Sequence, residues 1–279
     1  MNGATKTAGQ ASEGISGNPL ITAQRALLGL FLVAIIFVIV QTLGVTRLGV
    51  NEGVADGIVL LLALASTVVS LAGQLPAQNV ALAGVIVAGM GGMIHTIGAL
   101  TGIPFGPIAY GGDTGFKLVG GLPWFVPLLW VVVILNARGV SRLILRPWRK
   151  LRVYGYWLIA LTAVLTLVFV LGLEPFATRA RHYWFWQATK LPVDWCGAPL
   201  SDFLGWVVAA LLILGFSTPA LMKKRPARSY PEYHPLIVWT AIQVLFIAGA
   251  FSQHLTAAAL VSAAACVVVI PFAVRGARW

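Results

Sequence analysis

Residues 154–173 form the stretch YGYWLIALTAVLTLVFVLGL, which decides the class of fold. Its twenty residues include no charged side chain. Because an α-helix rises about 1.5 Å per residue, a helix of this length crosses the roughly 30 Å hydrocarbon core of a bilayer. The stretch therefore predicts a transmembrane helix, and an acidic residue, Glu174, follows it directly.

Seven further segments have the same apolar character, approximately 25–44, 57–75, 79–100, 118–137, 203–222, 235–251 and 254–274. The chain has 279 residues, of which 59% are hydrophobic and 10% charged, whereas a soluble domain carries about 25% charged residues. The sequence thus predicts an all-α, polytopic transmembrane helical bundle of about eight spans. This bundle is expected to be a single domain over residues 25–279, after a disordered cytoplasmic tail, residues 1–24, which is rich in Gly, Ser and Thr.

The distribution of basic residues predicts the orientation of the bundle. The loop 138–152 carries six arginines and lysines and no acid, and the segment 223–228 carries four more basic residues. Cytoplasmic loops are enriched in Lys and Arg, so both loops and both termini are predicted to be cytoplasmic, in the inner membrane of the cell. The net charge of +11 is then explained by topology and by anionic headgroups of the lipid bilayer, and no nucleic acid partner is expected.

Two connections on the predicted outer side combine Gly and Pro with acidic and aromatic residues. Residues 95–130 read HTIGALTGIPFGPIAYGGDTGFKLVGGLPWFVPLLW, and residues 174–206 read EPFATRARHYWFWQATKLPVDWCGAPLSDFLGW. Irregular backbone at membrane depth survives only where it is buried in protein or lines a cavity. One interpretation of the aromatic residues is an interfacial belt. The other is an aromatic groove for an elongated apolar ligand, which the carboxylates within the same segments favour.

These two stretches resemble the carotenoid biosynthesis family of membrane hydratases. The motifs TGIPFGPIAY, PWFVPLLW, EPFATRARHYWFW and WCGAPLSDFLGW carry the resemblance, in that order, over roughly residues 80–220. The chain departs from the family pattern at His95, Ile108 and Asp202, where the family commonly has a carboxylate, a tyrosine and an asparagine. The resemblance implies an enzyme that adds water to the acyclic end of a carotenoid or other long isoprenoid without a cofactor or metal, beside other enzymes of the pathway.

Hydration of an alkene needs an acid, a base and a dry pocket for the cation. The two loops supply candidates for these parts: Glu174 and Asp113 as acid and base, Asp202 as a second carboxylate, and Tyr110 and His95 as relays. The candidate substrate-binding residues are aromatic: Phe105, Trp130, Trp184, Trp186 and Trp206.

Each candidate also has an ordinary structural interpretation. Glu174 is placed to pair with Arg179 or Arg181, Asp113 lies in a Gly-rich turn, and Asp202 is placed to cap the sixth span. For His95, packing inside a span is the alternative to a role as a relay.

Other classes of membrane protein fit the sequence less well. Four scattered histidines cannot form the clusters of a di-iron hydroxylase, and no GxGxxG motif opens a nucleotide-binding unit. A transporter or a lipid-binding protein without catalysis remains the alternative, although the two loops show no internal repeat of the kind that transporters favour. A structural membrane subunit would leave both loops unexplained.

Overall fold

The computed structural model describes residues 19–46, 49–111, 114–187, 193–222 and 232–279. Eight helices in these ranges are long and apolar enough to cross a membrane, which confirms the predicted fold class. They are α1 Pro19–Thr42, α2 Glu52–Ala72, α3 Ala77–Thr101, α4 Phe125–Ile144, α5 Tyr154–Pro175, α6 Leu200–Ser217, α7 His234–Ser252 and α8 Thr256–Ala277.

Several helix boundaries differ by a few residues from the sequence-based prediction, and the differences at α4 and α1 have consequences for the fold. The fourth span was predicted at 118–137, but α4 begins at Phe125 and continues through Arg138 to Ile144. The residues before it cannot continue a helix, because Gly120 and Gly121 adopt φ values of +72° and +76° and Pro123 follows them. At the N-terminal end, α1 begins at Pro19, although residues 19–24 were predicted to belong to the disordered tail. Residues 1–18 lie outside the described ranges.

Close packing of α3 on its neighbours positions the aromatic side chains of the outer loops. Gly91 contacts the Trp130 side chain, and a Cβ at Gly98 would lie 2.7 Å from Cδ2 of Phe105. Small residues at such contacts let transmembrane helices and loops approach closely. The glycines of α3 therefore leave the space that large rings fill.

A short antiparallel pairing joins the two outer loops. Strand β1 (Ile108–Tyr110) pairs with β2 (Trp184–Trp186), and Tyr110 lies opposite Trp184. Strand β2 follows α5 through one π-helical turn, Phe176–Ala180, and the residues after β2 form a second small pairing, β3 (Asp194–Trp195) with β4 (Ala198–Pro199). The expectation that both loops share one end of the bundle is thus confirmed.

The helices differ in how far they are enclosed by protein. Helix α4 is central: 67% of the residues in its most apolar stretch are buried, against 17% for α1 and 28% for α8. The peripheral helices present their apolar faces outward, as expected for contact with lipid. Both the start of α1 and the end of α8 lie at the end of the bundle opposite the paired loops, where Gln24 binds Glu232 and Gly276 packs on the Leu143 carbonyl.

Candidate active site

A carboxyl group at the end of α5 is the centre of the polar cluster. Glu174 is 1% exposed, and its Oε2 accepts hydrogen bonds from the indole nitrogens of Trp184 at 3.1 Å and Trp186 at 2.8 Å. The two tryptophans stand two residues apart on β2, so their side chains project from the same face of the strand. The pairing of β1 with β2 thus brings two donors onto a buried acid.

A second buried carboxyl group, Asp202, enters from the first turn of α6. It is 1% exposed and lies within interaction range of the Glu174 carboxyl and the Trp206 indole. Neither Asp202 oxygen accepts a hydrogen bond from a donor in the described ranges, so its side chain does not cap α6. A bond between the two carboxyl groups requires that one of them keep a proton.

Tyr110 and His95 complete the cluster. The Tyr110 hydroxyl lies 3.3 Å from Nδ1 of His95, and His95 is buried near the end of α3. Burial raises the pKa of Tyr110, and its proximity to the carboxyl groups of Glu174 and Asp202 raises it further. The phenol therefore remains a neutral hydrogen-bond donor at physiological pH. Four of the five predicted catalytic residues share one site, and the fifth, Asp113, lies outside the described residues.

Stacked rings form one wall of the cluster. The His95 ring stacks on Phe105 at 4.2 Å, and Trp130 stacks on Trp206 at 4.1 Å. The edge of His95 meets both tryptophans, at centroid distances of 5.8 and 5.3 Å. These rings give the cluster a largely apolar wall, and aromatic π-faces attract positive charge.

An apolar cavity of about 420 Å³ adjoins the cluster. Most of its walls come from α2, α4, α5 and α7, and it reaches Leu173 and Trp184, the chain neighbour and one hydrogen-bond partner of Glu174. Of the five aromatic residues predicted to bind substrate, Trp184 lines this cavity. The other four, Phe105, Trp130, Trp186 and Trp206, lie instead around the carboxyl groups and the His95 ring.

A polar network of Arg181, Asp56 and Tyr183 adjoins the cavity. Arg181 donates to Asp56 at 2.8 Å, to Glu52 at 3.2 Å and to Thr42 at 2.6 Å. The Tyr183 hydroxyl donates to the same Asp56 oxygen at 2.6 Å, and both Asp56 and Tyr183 line the cavity. Burial raises the pKa of Tyr183, and the Asp56 carboxylate raises it further.

The structure shows the partners of Arg179 and Arg181, the two arginines that the sequence placed near Glu174. Arg181 pairs with α2 rather than with Glu174, and Nε of Arg179 donates to the Cys196 carbonyl. Sequence reasoning assigned no role to Asp56 or Tyr183 in the site. The spacing of Glu52 and Asp56, four residues apart on one helix face, was the available signal, but the position of their partner depends on the fold of the loop.

The described residues hold no group of three or more His, Cys, Asp or Glu side chains arranged to bind a metal ion. What the structure brings together is a pair of buried acids with aromatic walls, next to an apolar cavity. The fold and the site together define a multi-pass membrane protein with a pair of buried carboxyl groups beside an apolar cavity of the size that ligand sites have.

Comparison with known proteins identifies the family of this chain. The model of the carotenoid biosynthesis protein family matches residues 55–272, and the chain belongs to this family. The match covers all the residues of the buried cluster.

A curated relative shares part of this sequence. The chain is 28% identical to bisanhydrobacterioruberin hydratase of Haloarcula japonica over 142 residues. The alignment covers 50% of this chain and 45% of the relative, so the chain spans about half of that protein's length. No solved structure matches the chain.

Proposed function

We propose that this protein adds water to the double bond at the acyclic end of a carotenoid. The observation that carries the proposal is the buried cluster of Glu174, Asp202, Tyr110 and His95 beside an apolar cavity, in a chain of the carotenoid biosynthesis family. The relative's name, a hydratase, supports this reaction class. General acid–base chemistry on two carboxyl groups needs no redox partner.

The surroundings of the two acids divide their roles. Glu174 accepts two indole N–H bonds, and donors of this kind favour an ionised carboxylate. Asp202 is close to the Trp206 indole but accepts no well-formed hydrogen bond from a donor in the described structure, which favours its neutral, protonated form. Asp202 is accordingly the proposed acid and Glu174 the proposed base.

The reaction then balances within the site. The Asp202 O–H bond breaks as its proton forms a C–H bond at the less substituted alkene carbon, which leaves a tertiary cation. Water forms the C–O bond at that cation and releases a proton to Glu174. The proton returns to Asp202 across the contact between the two carboxyl groups, and the faces of the surrounding tryptophans stabilise the cation.

The cavity is the proposed route by which a hydrocarbon reaches these groups. Its walls are mostly apolar, and they include Leu173 and Trp184, the chain neighbour and a hydrogen-bond partner of Glu174. A cavity of 420 Å³ is within the usual range for ligand sites and admits the end of a long polyene, while the remainder stays in the lipid. The proposed location is the cytoplasmic membrane, where other enzymes of the pathway are proposed neighbours.

Growth in labelled water tests the function. Cells that make an acyclic-ended carotenoid and express this chain are grown in water enriched in ¹⁸O, and their pigments are analysed by mass. We expect a product heavier by one water that carries the heavy oxygen. An unchanged pigment profile across several acyclic-ended carotenoids contradicts the proposal, and pigment that copurifies unchanged with the protein would favour a binding protein.

A further inference from the structure

A second cavity, of about 400 Å³, lies at the end of the bundle opposite the carboxyl cluster. It is formed where α2 and α4 end and where α5 and α7 begin. Four arginines line it: Arg138, Arg142, Arg146 and Arg149. The first three are spaced four residues apart, so they lie along one face of the chain as it leaves α4.

The charges around this cavity are strongly unequal. Among the described lining residues, Glu232 is the one acid. Its Oε1 already accepts hydrogen bonds from the Gln24 side chain and from the backbone nitrogen of His234, both at 3.2 Å. The cavity is lined by four guanidinium groups and by one carboxylate that already accepts two hydrogen bonds. Its net charge is therefore positive.

Buried polar atoms in the cavity wall lack partners. Arg138 is 6% exposed and donates from one terminal nitrogen to the Leu221 carbonyl at 3.2 Å, but its Nε binds no group in the described ranges. The same holds for both ring nitrogens of His234 and for the hydroxyl of Ser70, which are 2% and 3% exposed. Buried groups of this kind are normally satisfied, so several in one cavity indicate a polar ligand.

We propose that this cavity binds a phosphate group. The planar fork of a guanidinium matches two phosphate oxygens, and several arginines around one pocket are typical of phosphate recognition. The hydroxyl of Ser70 and the imidazole of His234 supply further hydrogen bonds. Leucines in the same wall, among them Leu71, Leu135 and Leu158, offer contacts to an acyl chain.

Two sources supply a phosphate here, the headgroup of an anionic phospholipid and a soluble phosphate compound. The predicted orientation places the cavity at the cytoplasmic face, where an anionic headgroup lies at the level of the loop arginines. A ligand seated here bridges α2, α4, α5 and α7, and it therefore stabilises the folded bundle in proportion to its occupancy. The inference is independent of the chemistry proposed at the other end.

Thermal unfolding of the full chain in a neutral maltoside detergent tests the proposal. Phosphatidylglycerol, phosphatidylcholine or inorganic pyrophosphate is added to the purified protein, and the midpoint is followed against ligand concentration. We expect phosphatidylglycerol to raise the midpoint at lower concentration than phosphatidylcholine. The double variant Arg142→Gln, Arg149→Gln should weaken the apparent affinity for phosphatidylglycerol about tenfold or more, since bonds to charged groups are lost.

Arg152→Gln is the matched control, because Arg152 lies in the same loop but does not line the cavity. It should bind phosphatidylglycerol as the unmodified protein does. The double variant keeps Arg138, so the test does not depend on whether a change at that buried side chain folds. A shift with phosphatidylglycerol alone supports a lipid headgroup, and an equal shift with pyrophosphate supports a soluble phosphate compound. The proposal would be overturned if neither ligand shifts the unfolding midpoint. It would also be overturned if the double variant and Arg152→Gln lose the same affinity for phosphatidylglycerol.

Discussion

Glu174 and Asp202 differ in their surroundings although both are fully buried. The two indole N–H groups on Glu174 hold its carboxyl group in a fixed orientation, whereas Asp202 accepts no well-formed hydrogen bond from the nearby Trp206 indole. Paired acids with unlike environments are how proteins separate the roles of acid and base. The side chains that create the difference, Trp184 and Trp186, are therefore as important as the carboxyl groups.

Replacing Glu174 by Gln tests its role as the base. The amide keeps the size of the side chain, and its carbonyl still accepts the indole hydrogen bonds, so the protein should remain folded in the membrane. It cannot accept a proton, so conversion of the carotenoid should fall by at least about 100-fold. Pigment analysis measures the conversion. An immunoblot of the membrane fraction shows whether the variant accumulates to the level of the unmodified protein.

Asp194→Asn is the control for this change. Asp194 belongs to the same loop but is exposed and binds the Gly197 backbone nitrogen at 3.0 Å. Its variant should convert the carotenoid normally. Full activity in Glu174→Gln would remove that residue from the mechanism.

The two buried tyrosines predict how stability depends on pH. Burial raises the pKa of both Tyr110 and Tyr183 from the ordinary value of 10.0. Below pH 10 the phenols are neutral in the folded and unfolded states, and their contribution to stability is complete. Above pH 10 the unfolded chain releases these protons while the folded chain keeps them, so stability falls as the pH rises.

The melting temperature of the purified protein should therefore decline above pH 10, and the decline should be less steep in Tyr110→Phe. Tyr156→Phe, at a side chain that is 78% exposed, is the matched control and should keep the slope of the unmodified protein. Equal slopes in all three proteins would contradict the environment assigned to Tyr110.

Among the structural elements, the helices were predictable and the loops were only partly so. Long apolar runs fix a transmembrane span because the bilayer requires them. The start of α4 was misplaced because the apolar residues 118–124 look like helix, whereas Gly120, Gly121 and Pro123 prevent it. The pairing of β1 with β2 was not predictable, since three-residue strands carry too little pattern to fix a register.

Cross-linking tests the pairing that assembles the site. Ala109 and Phe185 lie opposite each other on β1 and β2, and opposed residues in antiparallel strands have the Cα spacing of a disulfide. In a chain with Cys196 and Cys266 replaced by Ser, the pair Ala109→Cys, Phe185→Cys should cross-link under mild oxidation. Mass spectrometry of the digested protein detects the linked peptides.

The control for the cross-link places one cysteine on the other face of the strand. Ile108 is adjacent to Ala109 but projects to the opposite side, where it is buried. The pair Ile108→Cys, Phe185→Cys should therefore remain reduced. Efficient linkage in the control, or none in the test pair, would show that the two loops pair differently.

Considered as a whole, the molecule keeps unlike chemistry at its two ends. Carboxyl groups and stacked rings lie where α3 and α5 end, and arginines lie where α4 ends. The distribution of charge along the sequence predicted this division, because residues 138–152 and 223–228 are rich in Arg and Lys, whereas six of the eight acidic residues lie at or near the connections of the other end. The network of Asp56, Arg181 and Tyr183 was not predictable, since it joins residues that are 125 and 127 positions apart.

The division also makes the orientation testable. Val119 is 88% exposed at the carboxyl-cluster end, and Lys150 is exposed at the arginine end. Val119→Cys or Lys150→Cys is introduced into the chain with both native cysteines replaced by Ser. Each variant is then treated with a membrane-impermeant maleimide in right-side-out and in inverted vesicles. Because loops rich in Lys and Arg stay in the cytoplasm, we expect Val119→Cys to react in right-side-out vesicles and Lys150→Cys in inverted ones. The reverse pattern would put the arginine cavity outside and the carboxyl cluster at the cytoplasmic face, and water for the reaction would then enter from the cytoplasm.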